Sequence, residues 1–165
     1  EKTPMIWRGP MVTSAIKTFT QQVNWKDLDF IIVDMPPGTG DTQLTFSQGI
    51  EMNGAIIVST PQEVALLDVK RGIKMFDKLG VKILGLIDNM SSFTGDDGKK
   101  YAIFGEGGVK KTAEEFNKEF LAEIPIDPDV GKFGDQGKPI VESNANNKIS
   151  QIYLNLAKKI KSIYL

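Results

Sequence analysis

The sequence predicts an α/β fold, a mostly parallel sheet flanked by helices. Three observations carry this. Short apolar runs rich in isoleucine and valine recur along the chain and are continuous rather than alternating, as in strands covered on both faces. Stretches with helical spacing of apolar residues separate them, which implies right-handed crossovers between parallel strands. Composition is ordinary for a globular chain, with 41% hydrophobic and 25% charged residues in 165.

Taken in order, Met11 to Val23 reads as a helix following Gly9-Pro10, and Phe30-Ile31-Ile32-Val33 as the first strand. Gly54 to Val58 is the second strand. The next helix places Leu66, Val69, Ile73 and Phe76 on one face. Thr60-Pro61-Gln62-Glu63 should open it, with threonine as N-cap and glutamate completing a capping box, and Gly80 should close it. Ile83 to Ile87 is the third strand, Val109 to Lys118 a shorter helix and Phe120 to Ile126 the fourth strand. Asp127 to Asn147, rich in Gly, Pro, Asp and Asn, reads as a long irregular connection of the kind that often carries function. Ile149, Ile152, Tyr153, Leu156, Ile160 and Ile163 form the stripe of a last helix. With no repeat and no convincing linker, residues 1–165 are expected to form a single domain.

Charge and composition exclude several classes of function. Lysine and arginine number 20 against 21 aspartates and glutamates, so the net charge of −1 supplies no bulk attraction to nucleic acid or to an anionic membrane. The chain has no cysteine, hence no disulfide, thiol nucleophile or thiolate metal site, and no histidine, hence no imidazole base. Carboxylates, lysines, hydroxyls and backbone amides are left to do the chemistry. No apolar run reaches the roughly 20 residues of a membrane span, and Glu1-Lys2-Thr3-Pro4 has no signal-peptide pattern. The expected location is cytoplasmic. The chain does not open with methionine, as suits a piece of a longer protein.

The sharpest local signal is Phe30 to Asp41, an apolar run ending in Asp34 and turning through Pro36, Pro37, Gly38 and Gly40. In parallel α/β sheets, ligands sit beyond the carboxyl ends of the strands. A carboxylate there suits Mg²⁺ beside nucleotide phosphates, and unobstructed glycine amides suit a terminal phosphate. The alternative is that Asp34 caps a helix and the Pro-Gly residues only turn the chain.

Asp34-Met35-Pro36-Pro37-Gly38-Thr39-Gly40-Asp41 resembles the switch motif of the Mrp/ApbC ATPases, MinD relatives of the deviant-Walker P-loop class. Pro4 to Met11, Val58 to Gln62, Asp88-Asn89-Met90-Ser91, Phe104 to Gly108 and Gly134 to Val141 resemble the same family in the same order, so the likeness covers nearly the whole chain. The resemblance implies a cytoplasmic ATPase, homodimeric at full length, that binds ATP with Mg²⁺ and serves apo iron–sulfur proteins as clients. It implies Asp34 as the Walker B carboxylate and metal residue, with Asp41 beside it as the catalytic pair. It also implies Gly38 on the γ-phosphate, Asn89 on adenine, and Pro125 and Asp127 flanking the base. Read from the residues alone, Asn89 could equally be a turn residue.

Two departures qualify this. The family's Gly-Lys-Gly-Gly-Val-Gly-Lys type P-loop and its strand are missing, so the chain matches the C-terminal two-thirds of such a domain and is expected to be inactive alone. Gly105 to Thr112 nearly mimics that loop, but Lys110 stands where its last glycine belongs, and a glycine turn opening a helix accounts for it better. Second, where many members carry Cys-x-x-Cys for a bridging iron–sulfur cluster, this chain has Gly95 and Gly98 around Asp96 and Asp97, poor substitutes for thiolates. Two competing readings are a non-catalytic partner-binding module and a MinD-like ATPase that cycles on membranes through its last helix.

Overall fold

The computed structural model describes residues 9–35, 47 and 49–165. Its centre is a long strand, β2 (Ile83–Thr94), paired in parallel with β1 (Ala55–Ser59) and with β4 (Phe120–Ile126). A two-residue strand, β3 (Lys100–Tyr101), folds back antiparallel on the end of β2. The expected mixed, mostly parallel sheet is present.

Two cores cover the sheet. Leu66, Val69 and Ile73 of helix α2 (Glu63–Lys78) and Val109 and Ala113 of α3 (Gly108–Glu115) pack with Ile83 and Leu86. Ile140 of the one-turn α5 (Ile140–Ser143) and Ile149 of α6 (Lys148–Tyr164) pack with Ile87 and Ile124. Leu86 and Ile87 are successive residues of one strand and so point to opposite faces. That is why the run from Ile83 to Asp88 is buried throughout and reads as continuous apolar sequence.

Helix ends follow local chemistry. α2 ends as expected at Gly80, with φ +71° and the paired bonds Gly80 N–H to Asp77 O (3.2 Å) and Val81 N–H to Phe76 O (3.0 Å) of a Schellman motif. Its start differs from the expectation. The N-cap is Gln62, whose side chain makes no capping bond, and the Thr60 capping box does not form. The helix starts two residues later than the proline-and-threonine pattern suggests, because Pro61 stays in the connection, packed on Gly108 of α3.

Two further expectations are corrected. Phe30-Ile31-Ile32-Val33 lies outside any strand, with Ile32 86% exposed. A strand needs a ladder partner, and among the described residues this run pairs with none. It lies instead along an apolar cavity of about 840 Å³ that Phe30 and Ile32 line with Ile56, Tyr153, Leu156 and Ile160. Phe30 also meets the Tyr164 ring edge-on at 6.4 Å. Second, Asp127 to Asn147 is not one irregular connection. It contains α4 (Pro128–Asp135) and α5, because Asp127 followed by proline is a strong helix start.

Helix α1 (Gly9–Gln21) takes up the predicted Met11 to Val23 segment with ends shifted by two residues. The final helix docks on its own sheet: Ile149 is 3% exposed, and Ile152, Tyr153 and Leu156 pack against the second core. Tyr164 Oη donates to Asn53 O at 2.8 Å, holding its far end. Among the described residues no helix is long and apolar enough to cross a membrane.

Candidate functional site

The polar residues of interest gather at the carboxyl end of the parallel strands. Ser59, Asp88 and Glu123 stand in register across β1, β2 and β4, and Asn89 stands opposite Ile124. β4 then runs through Pro125 into Asp127, which follows its last residue, while Asn89 stands on the neighbouring β2 opposite Ile124. Asn89, Pro125 and Asp127 are half-buried. Met90 takes a left-handed φ of +57° within β2, just after Asn89 and in the stretch where the register with β4 shifts.

Asp127 is tightly held. Its Oδ1 accepts from Asp129 N–H at 2.9 Å, capping α4, and its Oδ2 accepts from the Asn147 side-chain amide at 3.1 Å. Asn147 is itself the N-cap of α6, its Oδ1 accepting from Ile149 N–H at 2.7 Å. Asp127 is therefore foremost a structural staple, with one lone pair on each oxygen left for anything else.

Asp34 is exposed and lies at the end of the unpaired Phe30–Val33 run. Gly38 and Asp41 lie outside the described residues. The structure thus places Asn89 and Pro125 on paired strands with Asp127 directly after β4, and Asp34 stands on a separate segment.

Sequence reading gave no role to Asp88. It is 2% exposed, and its Oδ1 has no hydrogen-bond partner. Burial pushes its carboxyl up to about 6, and the charge of Glu123 on the neighbouring strand adds to the rise. Ser91 and Ser92, three and four residues further along β2, are also buried with unpartnered hydroxyls. Unmet acceptors and donors buried beside a half-exposed asparagine are costly in a folded chain, and such groups mark places where a polar ligand completes the bonding. The available signal was a carboxylate ending an otherwise apolar run.

Gly105 to Thr112 is the glycine turn that the sequence suggested. Gly107 caps α3, and the segment before it is not a strand of a phosphate loop. A Cβ on Gly108 would stand 2.6 Å from Pro61 O and 2.7 Å from Leu66 Cδ1, so this glycine serves helix packing.

A parallel sheet with polar residues toward the carboxyl ends of its strands is the arrangement in which open α/β proteins bind their ligands. Residues 1–161 match the family model described as ParA, NUBPL iron-transfer P-loop NTPase, and the chain belongs to that family. The iron–sulfur cluster carrier protein of Aquifex aeolicus is 43% identical over 164 residues, covering 99% of this chain and 45% of that protein. A nucleotide-binding protein of Archaeoglobus fulgidus, solved in complex with ADP and with cobalt found by PIXE, is 40% identical. It superposes with a TM-score of 0.70, covering 78% of this chain and 53% of its own. MinD of Pyrococcus horikoshii, at 22% identity and a TM-score of 0.70 over 94% of this chain and 58% of its own, shares the fold. The chain spans about half the length of these relatives. The resemblance read from the motifs therefore holds at the level of family and fold.

Two groups implied by the family fare differently against the residues present. A nucleotide fits in kind: the unpartnered Asp88 Oδ1 and the serine hydroxyls leave hydrogen-bonding capacity at the edge where Asn89 stands. An iron–sulfur cluster does not fit. It is held by thiolates, sometimes by imidazole, and these 165 residues contain neither cysteine nor histidine. Among the described residues no group of three or more possible His, Cys, Asp or Glu ligands converges on one point.

Proposed function

We propose that this chain is the adenine-nucleotide-facing part of an ATP-dependent factor in iron–sulfur cluster assembly or transfer. The observation that carries the reading is that Asn89 on β2 and Pro125 on β4, with Asp127 just after it, lie on neighbouring parallel strands of a family member. The ADP complex of the 40% identical Archaeoglobus protein supports it.

In this reading the Asn89 amide, with donors and an acceptor on one plane, pairs with the adenine edge. Pro125 forms an apolar wall for the base, and Asp127, fixed by Asp129 and Asn147, sets where that wall stands. Asp34 joins the Mg²⁺ shell, and Gly38 and Asp41 belong to the switch around the terminal phosphate. Mg²⁺ would supply charge neutralisation at the phosphates. Tight phosphate binding draws on a P-loop segment beyond these residues, and the working form is a homodimer whose clients are apo iron–sulfur proteins.

Calorimetry with ATP and with tripolyphosphate tests this. Asn89→Ala should weaken ATP binding by about 1–3 kcal/mol, the loss expected for one buried hydrogen-bonding partner, and leave tripolyphosphate nearly unchanged. Equal weakening of both would make Asn89 structural and remove the base from this edge.

A further inference from the structure

The hairpin joining β2 to β3 is closed by one carboxylate. Asp97 Oδ1 accepts from Lys99 N–H at 3.0 Å and Oδ2 accepts from Tyr101 Oη at 3.0 Å. Lys99 Nζ stands 3.7 Å from the same Oδ2. The backbone completes the turn, Gly95 N–H donating to Lys99 O and Gly98 N–H to Gly95 O, both at 2.9 Å. The Lys99 amide and the Tyr101 hydroxyl hold the Asp97 carboxyl below the usual carboxylate range, so it is ionised and engaged at neutral pH.

This arrangement does not admit side chains at Gly95 and Gly98 without displacing Asp97 and straining the turn. A Cβ built on Gly95 would lie 2.9 Å from Asp97 Oδ1 and 3.1 Å from Tyr101 Cε2. Gly98, at φ +74°, occupies backbone space that a side chain resists. Both Asp97 oxygens already accept hydrogen bonds, and a hard carboxylate is in any case a poor match for a cluster that selects soft sulfur.

We propose that this chain ligates no iron–sulfur cluster with its own residues, and that the 94–101 hairpin is a closed, hydrogen-bonded turn. Any cluster that the factor handles is then held by thiolates outside these 165 residues. This deepens the function proposed above, from which it takes only the identity of the cargo.

Two readouts on the 165-residue chain test it. After anaerobic incubation with ferrous iron and sulfide, then desalting, iron should fall to the protein-free blank, with no visible charge-transfer band. Retained iron and sulfide in stoichiometric amount, with such a band, would overturn the proposal. Amide exchange then tests the closed turn: Asp97→Ala should speed exchange of the Lys99 amide by about tenfold, the scale of one lost hydrogen bond. An unchanged Lys99 rate would show that Asp97 does not close the hairpin. Neither readout involves nucleotide, so their outcome is separate from any failure of ATP to bind.

Discussion

The side-chain amide of Asn147 donates to Asp127 Oδ2 at 3.1 Å, and through that contact the start of α6 is tied to the start of α4. Each partner also caps its own helix, so two N-termini and the exit of β4 share one polar knot. Asn147→Ala removes a cap and leaves Asp127 one donor short. We expect a loss of about 1–2 kcal/mol in urea denaturation. Asn147→Ser keeps a capping oxygen and should recover more than half of that loss.

Gly108 separates packing from phosphate binding in the glycine-rich segment. Gly108→Ala drives a methyl against Pro61 O and Leu66 Cδ1 and should destabilise by about 1–3 kcal/mol, as overpacked cores do. Lys110 and Lys111 are exposed on α3, and alanine at either should change stability by no more than about 0.5 kcal/mol. Neither substitution should change phosphate release from ATP by the 165-residue chain, which is expected at background. Robust release abolished by Lys110→Ala or Lys111→Ala would make Gly105–Thr112 a working phosphate loop.

Asp88 sets a pH dependence. Its folded value of about 6 lies above the ordinary 3.8, so the folded state binds the proton more tightly than the unfolded one. Stability is then greatest below about pH 4 as far as this group is concerned, and falls as pH rises to about 6 and just beyond. Asp88→Asn removes the buried charge, and should stabilise at pH 8 by about 2 kcal/mol while flattening the decline between pH 4 and 6. Denaturation midpoints across that range check both; a less stable variant at pH 8 would mean that the carboxylate is needed charged.

Asp34 should matter little for the fold. It is exposed, so Asp34→Asn is expected to shift the unfolding free energy by less than about 0.5 kcal/mol. In a chain extended with a P-loop segment, the same change should abolish most Mg²⁺-dependent hydrolysis, because it removes charge beside the phosphates. Turnover near that of the parent would take Asp34 out of the metal shell.

The apolar run from Ile83 to Ile87 was legible because burial on both faces leaves a continuous pattern, and Gly80 was legible because a left-handed C-terminal residue favours glycine. Phe30–Val33 carries the same pattern yet forms no strand, because apolar character fixes burial tendency while a strand also needs a neighbour. In the candidate site, Asn89, Pro125 and Asp127 were singled out by motif position, and the pairing of β2 with β4 sets where they stand. The engagement of Asp127 with Asn147 was not, since it joins residues twenty apart that only the packing of α4 and α6 brings together. Asp88 was overlooked because a carboxylate at a strand end looks solvated in sequence, and only the pairing of β2 on both sides buries it.

The measurement that bears most directly on the nucleotide edge is an amide-shift titration of isotopically labelled chain with ATP. The largest shifts should fall at Asn89, Met90, Ile126 and Asp127, and they should be lost when tripolyphosphate replaces ATP. Shifts centred instead on Gly105–Thr112, or equally large with tripolyphosphate, would contradict an adenine site at the carboxyl edge of β2 and β4.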